Sequence, residues 1–292
     1  MSDSFIPALQ SLGYTHREAA FLYLVTIHSG YFLRRQFDYF IDRNKGAIVT
    51  NFLAKAQAAR HIEVIEYARG WRVYHLLSRT LYRLANLPQS GNRQRKGDAA
   101  IRSSLITLDY VLENHETEYF LTTPEEKINF FRQHRHCPSS FYRVASGELS
   151  PVLKSSPISL QNRYDPATSL VRLSFVDEGL LSMTKFERVL VELEPLLCRL
   201  GDFELIYGSN SDCNFAQADR EFHRRFDHHR HEPGPTYGRD LFGHRPAPVP
   251  THVPFSGEFV TILFRHAYPP TRRMEAQSSR VGSISETTTD EE

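Results

Sequence analysis

Carboxylates, histidines and lysines are the side chains here that could hold a metal or move a proton, and their spacing argues against a catalytic set. A metal-dependent nuclease needs a carboxylate at the end of one strand and an acidic-x-Lys element on the next, to fix the ion and activate water. Asp177 closes a β-rich run in Phe175-Val176-Asp177-Glu178-Gly179. The next such run offers Glu204, but two residues on stands Ile206, where that chemistry needs lysine. Glu125-Glu126-Lys127 has the E-x-K spacing but sits at a helix start, where its carboxylates complement the helix dipole.

The histidines give no stronger signal. His223, His228, His229 and His231 match no standard zinc spacing and are flanked by arginines, which disfavour a cation. His134-Arg135-His136 and His229-Arg230-His231 each carry arginine where the metal-binding pair of a DNA-nicking relaxase carries a hydrophobe. No G-x-S-x-G, P-loop or G-x-G-x-x-G occurs. The expectation is no catalytic residue, no metal and no cofactor.

A different chemistry is legible nearer the start, where amides, hydroxyls and cations are arranged as for a duplex. Val49, Phe52, Leu53 and Ala56 recur at i, i+3, i+4 and i+7, the buried face of a helix. Its opposite face carries Thr50, Asn51 and Lys55 among alanines, small enough for close approach to base edges. Lys45 precedes it in the turn Asn44-Lys45-Gly46. Downstream, Ile62 to Tyr67 and Trp71 to Leu77 form two β-rich runs around the turn Ala68-Arg69-Gly70. Trp71, Val73, His75 and Leu77 share one face of the second run, and Arg69 and Arg72 stand at the tip to reach phosphates.

The elements that must position these residues follow. Thr15 and Glu18 make a capping box for a helix carrying Ala20, Phe21, Leu24 and Val25, with Gly30 as its stop. Leu33, Phe37, Phe40 and Ile41 mark a second helix, and Ser78 caps a fourth through Leu81 and Leu84. Three helices followed by a β-ribbon is the order of a winged helix-turn-helix, whose third helix enters the major groove.

Charge divides accordingly. Residues 1–104 hold fifteen Lys/Arg against seven Asp/Glu, and the remainder holds twenty against twenty-seven. A basic first part and an acidic second part, in a chain of net charge +1, point to one polyanion-binding unit and one with another task. The three cysteines, Cys137, Cys198 and Cys213, show no C-x-x-C spacing and fit reduced thiols in the cytoplasm. Met1 to Gln10 lacks the pattern of a secretory signal, and no apolar run reaches the roughly 18 residues of a membrane span.

Residues 1–85 are therefore expected to be the winged unit, 86–97 (NLPQSGNRQRKG) a linker, 98–268 an α/β domain and 269–292 a disordered tail. Within the α/β domain, Asp98 caps a helix bearing Ile101, Leu105, Leu108 and Leu112, and Thr123-Pro124-Glu125-Glu126 starts another. Leu170 to Val176 and Phe203 to Tyr207 are strands flanking a helix from Thr184, kinked at Pro195. Asn214 caps a helix with Phe215, Ala218, Phe222 and Phe226 on one side; 228–254 is a long loop and Glu258 to Phe264 a last strand. Strands alternating with helices suggest a small, mixed sheet.

On Leu33 to Leu84, with Phe52-Leu53 on the third helix and Ser78-Arg79-Thr80-Leu81-Tyr82 after the ribbon, the chain resembles the replication-relaxation winged-helix proteins of plasmids and integrative elements. The likeness extends through Leu105 to Phe131 and the strand-helix-strand from Leu170 to Tyr207. The resemblance implies a DNA-binding N-terminal domain and a C-terminal domain of restriction-endonuclease-like fold, acting in plasmid replication, mobilisation or its control. The missing acidic-x-Lys element makes that second fold degenerate here, suited to binding another protein or a second copy of the chain as a homodimer. The partners expected are double-stranded DNA and replication or mobilisation proteins, with no membrane. Three alternatives stay open: a transcriptional regulator with a ligand- or partner-binding C-terminal domain, a metal-dependent nuclease using Asp177, and a winged-helix protein scaffold that binds no DNA.

Overall fold

The structure, a computed structural model, describes residues 4–41, 46–67, 70–134, 142–143, 148–149, 157–161, 170–177, 183–200, 203–209, 213–226 and 260–266. It is a mixed α+β chain. The expected loop at 228–254 and tail at 269–292 lie outside the described residues.

The first part runs α1 (Phe5–Ser11), α2 (His16–His28), β1 (Tyr31–Phe32), α3 (Arg34–Phe40), α4 (Gly46–Ala58), β2 (Ile62–Glu66), β3 (Arg72–Leu76) and α5 (Arg79–Leu84). The capping box at α2 forms: the Thr15 hydroxyl accepts the Glu18 N–H at 3.3 Å, and the Glu18 carboxylate accepts the Thr15 N–H at 2.7 Å. Phe21 on α2 centres the core, with the rings of Phe32, Phe37, Phe40 and Phe52 between 5.0 and 6.1 Å from it. The expected hairpin pairs from Ile62 opposite Leu76 to Glu66 opposite Arg72. The two-residue β1, too short for any periodicity, adds a third strand on β3. Two local expectations change. The Ser78 side chain makes no cap bond; its carbonyl alone accepts from the start of α5. Trp71 is 57% exposed while Val73 and His75 are buried, because Trp71 precedes the paired part of β3.

The second part begins with α6 (Asp98–Asn114), whose N-cap is Gly97 rather than Asp98; the Asp98 carboxylate accepts instead from the Tyr67 hydroxyl at 3.0 Å. Next come β4 (Tyr119–Leu121), α7 (Pro124–His134), β5 (Tyr142–Arg143), β6 (Glu148–Leu149), β7 (Ile158–Leu160), β8 (Val171–Asp177), α8 (Thr184–Leu200), β9 (Phe203–Ser209), α9 (Phe215–Phe226) and β10 (Val260–His266). β5 and β6 form a two-stranded ribbon. The larger sheet has the order β10-β9-β8-β7-β4, with β8 and β9 parallel and the other pairs antiparallel. The parallel pair is joined by α8, the crossover helix such a pair requires. α8 continues past Pro195 to Leu200.

Alternation along β8 and β9 gives the sheet two unlike faces. Leu173, Phe175, Leu205 and Tyr207 pack in one core with Phe186 and Leu190 of α8 and Phe222 of α9. Val176 and Ile206 face the other way, into a core shared with α6 and the first part of the chain.

α6 therefore joins both regions. Its Ile101 clusters with Tyr31 and Val73 on the outer face of the small sheet, and Leu105 packs against them. Farther along, Leu108, Val111 and Leu112 belong to the core that contains Phe21 and Ile206. The Arg35 guanidinium grips Asp109 with two bonds of 3.1 and 2.8 Å, and Gln36 donates to the same carboxylate at 2.8 Å. Residues 86–97 are not a loose joint between independent units. Asn92 donates to the Ile27 carbonyl at the end of α2 (2.9 Å), Tyr31 donates to the Gln94 carbonyl (3.0 Å), and the Lys96 N–H donates to the Tyr31 hydroxyl (2.8 Å). Polar side chains meet the carbonyls a helix end leaves unsatisfied, and hydrophobic periodicity carries no trace of such contacts.

Candidate nucleic-acid interface

α4 is amphipathic in the sense its sequence requires. Val49, Phe52, Leu53 and Ala56 are buried, and Ala47, Thr50, Asn51, Ala54 and Gln57 are exposed. The outward strip contains two alanines, a hydroxyl and two amides, and no carboxylate. Among the described residues, neither the small sheet nor the acidic second part covers it.

Arg34, at the start of α3, extends beside this strip; its guanidinium donates to the Thr50 hydroxyl at 3.4 Å and pairs loosely with Asp38 at 3.9 Å. Arg34 and Gln57 were missed from the sequence. Gln57 lay within reach of pattern reading, because it follows Thr50 by seven residues on one helical face.

The other site residues divide. Lys55 is turned along the flank of α4, where its ammonium donates to Glu18 at 2.6 Å and to the Gly13 carbonyl at 3.0 Å, 5.1 Å from the centre of the Tyr14 ring. Tyr14 also hydrogen-bonds His61 at 2.8 Å, and burial, followed by the Glu18 charge, pushes its phenol up to about 12. Arg72 pairs with Glu66 across the hairpin at 3.0 Å, with both side chains exposed, so this contact leaves the guanidinium in water. Lys45 and Arg69 lie outside the described residues. Gly70, at the end of the hairpin turn, has φ +75°, a conformation open to glycine.

The carboxylates considered for metal chemistry are separated by the sheet. Asp177 lies at the carboxyl end of β8, where it accepts hydrogen bonds from the Tyr207 hydroxyl and, at 3.0 Å, from Asn214. Burial, followed by the Asp177 contact, pushes the Tyr207 phenol well above its ordinary value. Glu204 is in register with Arg172, five residues before Asp177 and on the opposite face. At about 3.3 Å per residue the backbone positions of Asp177 and Glu204 stand roughly 16 Å apart along the pair. Glu204 is buried against the Arg172 guanidinium, which also bonds Glu118; Glu118 accepts in turn from the hydroxyls of Ser159 and Tyr110. Glu126 closes the start of α7, accepting from the Thr122 N–H at 2.7 Å and from the Tyr119 hydroxyl.

Among the described residues no three of His, Cys, Asp and Glu gather as a metal-binding group. His223 pairs with Asp219 one turn earlier at 3.4 Å, and His228, His229 and His231 lie outside the described residues. No described helix is long and apolar enough to cross a membrane. No family model, curated protein or solved structure matches the chain.

Proposed function

We propose that this chain is a cytoplasmic DNA-binding protein of a bacterial mobile element, acting in plasmid replication, mobilisation or its control, without catalytic activity of its own. The observation that carries this reading is the uncovered outer strip of α4. Thr50, Asn51 and Gln57 stand there among alanines, with no carboxylate to repel a phosphate backbone. In this reading the first part is a winged helix-turn-helix, with α4 in the major groove and the β2–β3 hairpin as the wing. Asn51 and Gln57 read base edges, while Arg34, Arg72, Lys45 and Arg69 contact phosphates. Lys55 supports α4 from behind. The α/β part, taken as a degenerate restriction-endonuclease-like domain, serves as a platform for a partner protein or a second copy. The distance between Asp177 and Glu204, and their location on opposite faces, support a non-catalytic role.

Fluorescence anisotropy with a DNA duplex across a salt series tests the proposal. If about five phosphates are neutralised, log K falls against log salt with a slope of about −4 to −5. Binding that is absent, or insensitive to salt, refutes it.

A further inference from the structure

The β2–β3 hairpin carries the one tryptophan of the chain beside its turn. That side chain is 57% exposed, more than any other large apolar side chain among the described residues. We propose that Trp71 is a stacking platform for an unpaired nucleobase, so that the chain prefers a duplex bearing a single-stranded extension to a closed duplex.

The backbone around the indole is fixed. Glu66 and Arg72 are the last paired residues of the hairpin, and just beyond them the Tyr67 N–H donates to the Trp71 carbonyl at 2.8 Å. The two aromatic residues that flank the turn are treated differently. Tyr67 packs against the cluster of Tyr31, Val73 and Ile101, and its hydroxyl donates to Asp98 on α6 at 3.0 Å. Trp71 is left in water. Gly70 beside it is exposed, and a Cβ there would meet nothing within 4 Å among the described residues. Tryptophan is highly buried on average, so an indole held outward on a fastened hairpin leaves a large apolar area for a partner to cover.

The chemistry of the ring selects that partner. A planar π face is well covered by another, and in nucleic acid only the bases offer one. In a closed duplex those faces are taken up by stacking, and only base edges and backbone are presented. A base in a single-stranded extension offers its face to an aromatic side chain, with little regard to which base it is. The charges beside the ring argue against a wedge driven into a minor groove. Glu66 and Arg72 pair at 3.0 Å with both side chains exposed, so the hairpin end carries a carboxylate as well as a cation. In a minor groove about 6 Å wide that carboxylate would stand between two rows of phosphates. Beside a single strand only one row is near, and Arg72 is there to meet it. The preference for a duplex with an extension rests on the nucleic-acid reading of α4; the stacking itself rests on Trp71.

Tryptophan emission from the full chain tests this directly, because it reports Trp71 alone. The probes are a blunt DNA duplex and the same duplex with a short single-stranded extension. The extended duplex is expected to quench Trp71 and to bind about tenfold more tightly than the blunt one. Trp71→Ala should abolish that preference with a melting temperature close to that of the native chain, and Trp71→Phe, which keeps a ring, should retain part of it. Unchanged emission with the extended duplex bound, equal affinity for the two probes, or an undiminished preference in Trp71→Ala overturns the proposal and leaves the nucleic-acid reading standing. Quenching by the extended duplex with no binding of the blunt one upholds the proposal and counts against that reading. Binding of neither overturns both.

Discussion

α4 and β8 each set polar side chains opposite an apolar face, but with opposite treatment. α4 leaves Thr50, Asn51 and Gln57 in water. β8 seals Arg172 beneath α6 with Glu118, Glu204 and Ser159. An exposed polar side chain contributes little to folding, so its identity is open to be set by recognition. A buried ion cluster is bound to the fold, since each member is expensive without the others. If that contrast holds, changes on β8 act on stability and changes on the outer strip of α4 act on binding.

The largest expected effect is at Arg172. Arg172→Ala strands two buried carboxylates and should cost about 3–5 kcal/mol of unfolding free energy. Urea denaturation followed by circular dichroism measures it. A loss below about 1 kcal/mol would mean that water already screens the cluster, and the contrast with α4 would fail.

Gly30 tests the junction between the two parts. It has φ +78°, and a Cβ there would stand 2.2 Å from the Asn92 carbonyl oxygen. Gly30→Ala should therefore cost about 2–4 kcal/mol, from backbone strain and a backbone clash together. The same denaturation should remain a single transition. Two separated transitions would show that the 91–93 turn does not bind the parts together.

The sequence exposed the apolar half of this architecture more fully than the polar half. The helix faces of α2 and α4, the hairpin and the strands β8 and β9 all follow from periodicity and capping, which are local signals. β1 and β7 escaped because two or three residues carry no period. The fastening of 86–97 escaped because Asn92 and Lys96 act through backbone carbonyls distant in sequence. The same limit applies at the candidate interface. Spacing placed Thr50 and Asn51 on the open strip, but the turn of Lys55 toward Glu18 depends on where α2 packs.

Proton linkage separates the regions in another way. Lys96 and Lys127 hold folded pKa values of about 8, below the ordinary 10.5, so between those values the unfolded chain binds more protons. Their burial is least costly above about 10.5, and the penalty returns as pH falls through about 8. Unfolding free energy should thus rise from about pH 8 to about 10, before Tyr82 and Tyr110, whose pKa values are raised, begin to act in the opposite sense. Lys127→Met should flatten that rise in urea midpoints taken across this range. An unchanged slope would show that Lys127 is hydrated.

The smallest effects belong to α4. Asn51→Ala should weaken DNA binding by about 1–3 kcal/mol while shifting stability by no more than about 0.5. Lys55→Met gives the finest division, because Lys55 is on α4 yet turned away from its outer strip. The substitution keeps the aliphatic stem against Tyr14 and removes the bond to Glu18, whose carboxylate still caps α2. A half-exposed ion pair of this kind is worth about 1 kcal/mol or less, so a small loss of stability is expected. The salt slope of DNA binding should stay the same, since an ammonium held by Glu18 displaces no counterion from a duplex. A slope shallower by about one unit would show that Lys55 leaves Glu18 to grip a phosphate, placing it with the exposed residues instead of the supporting ones.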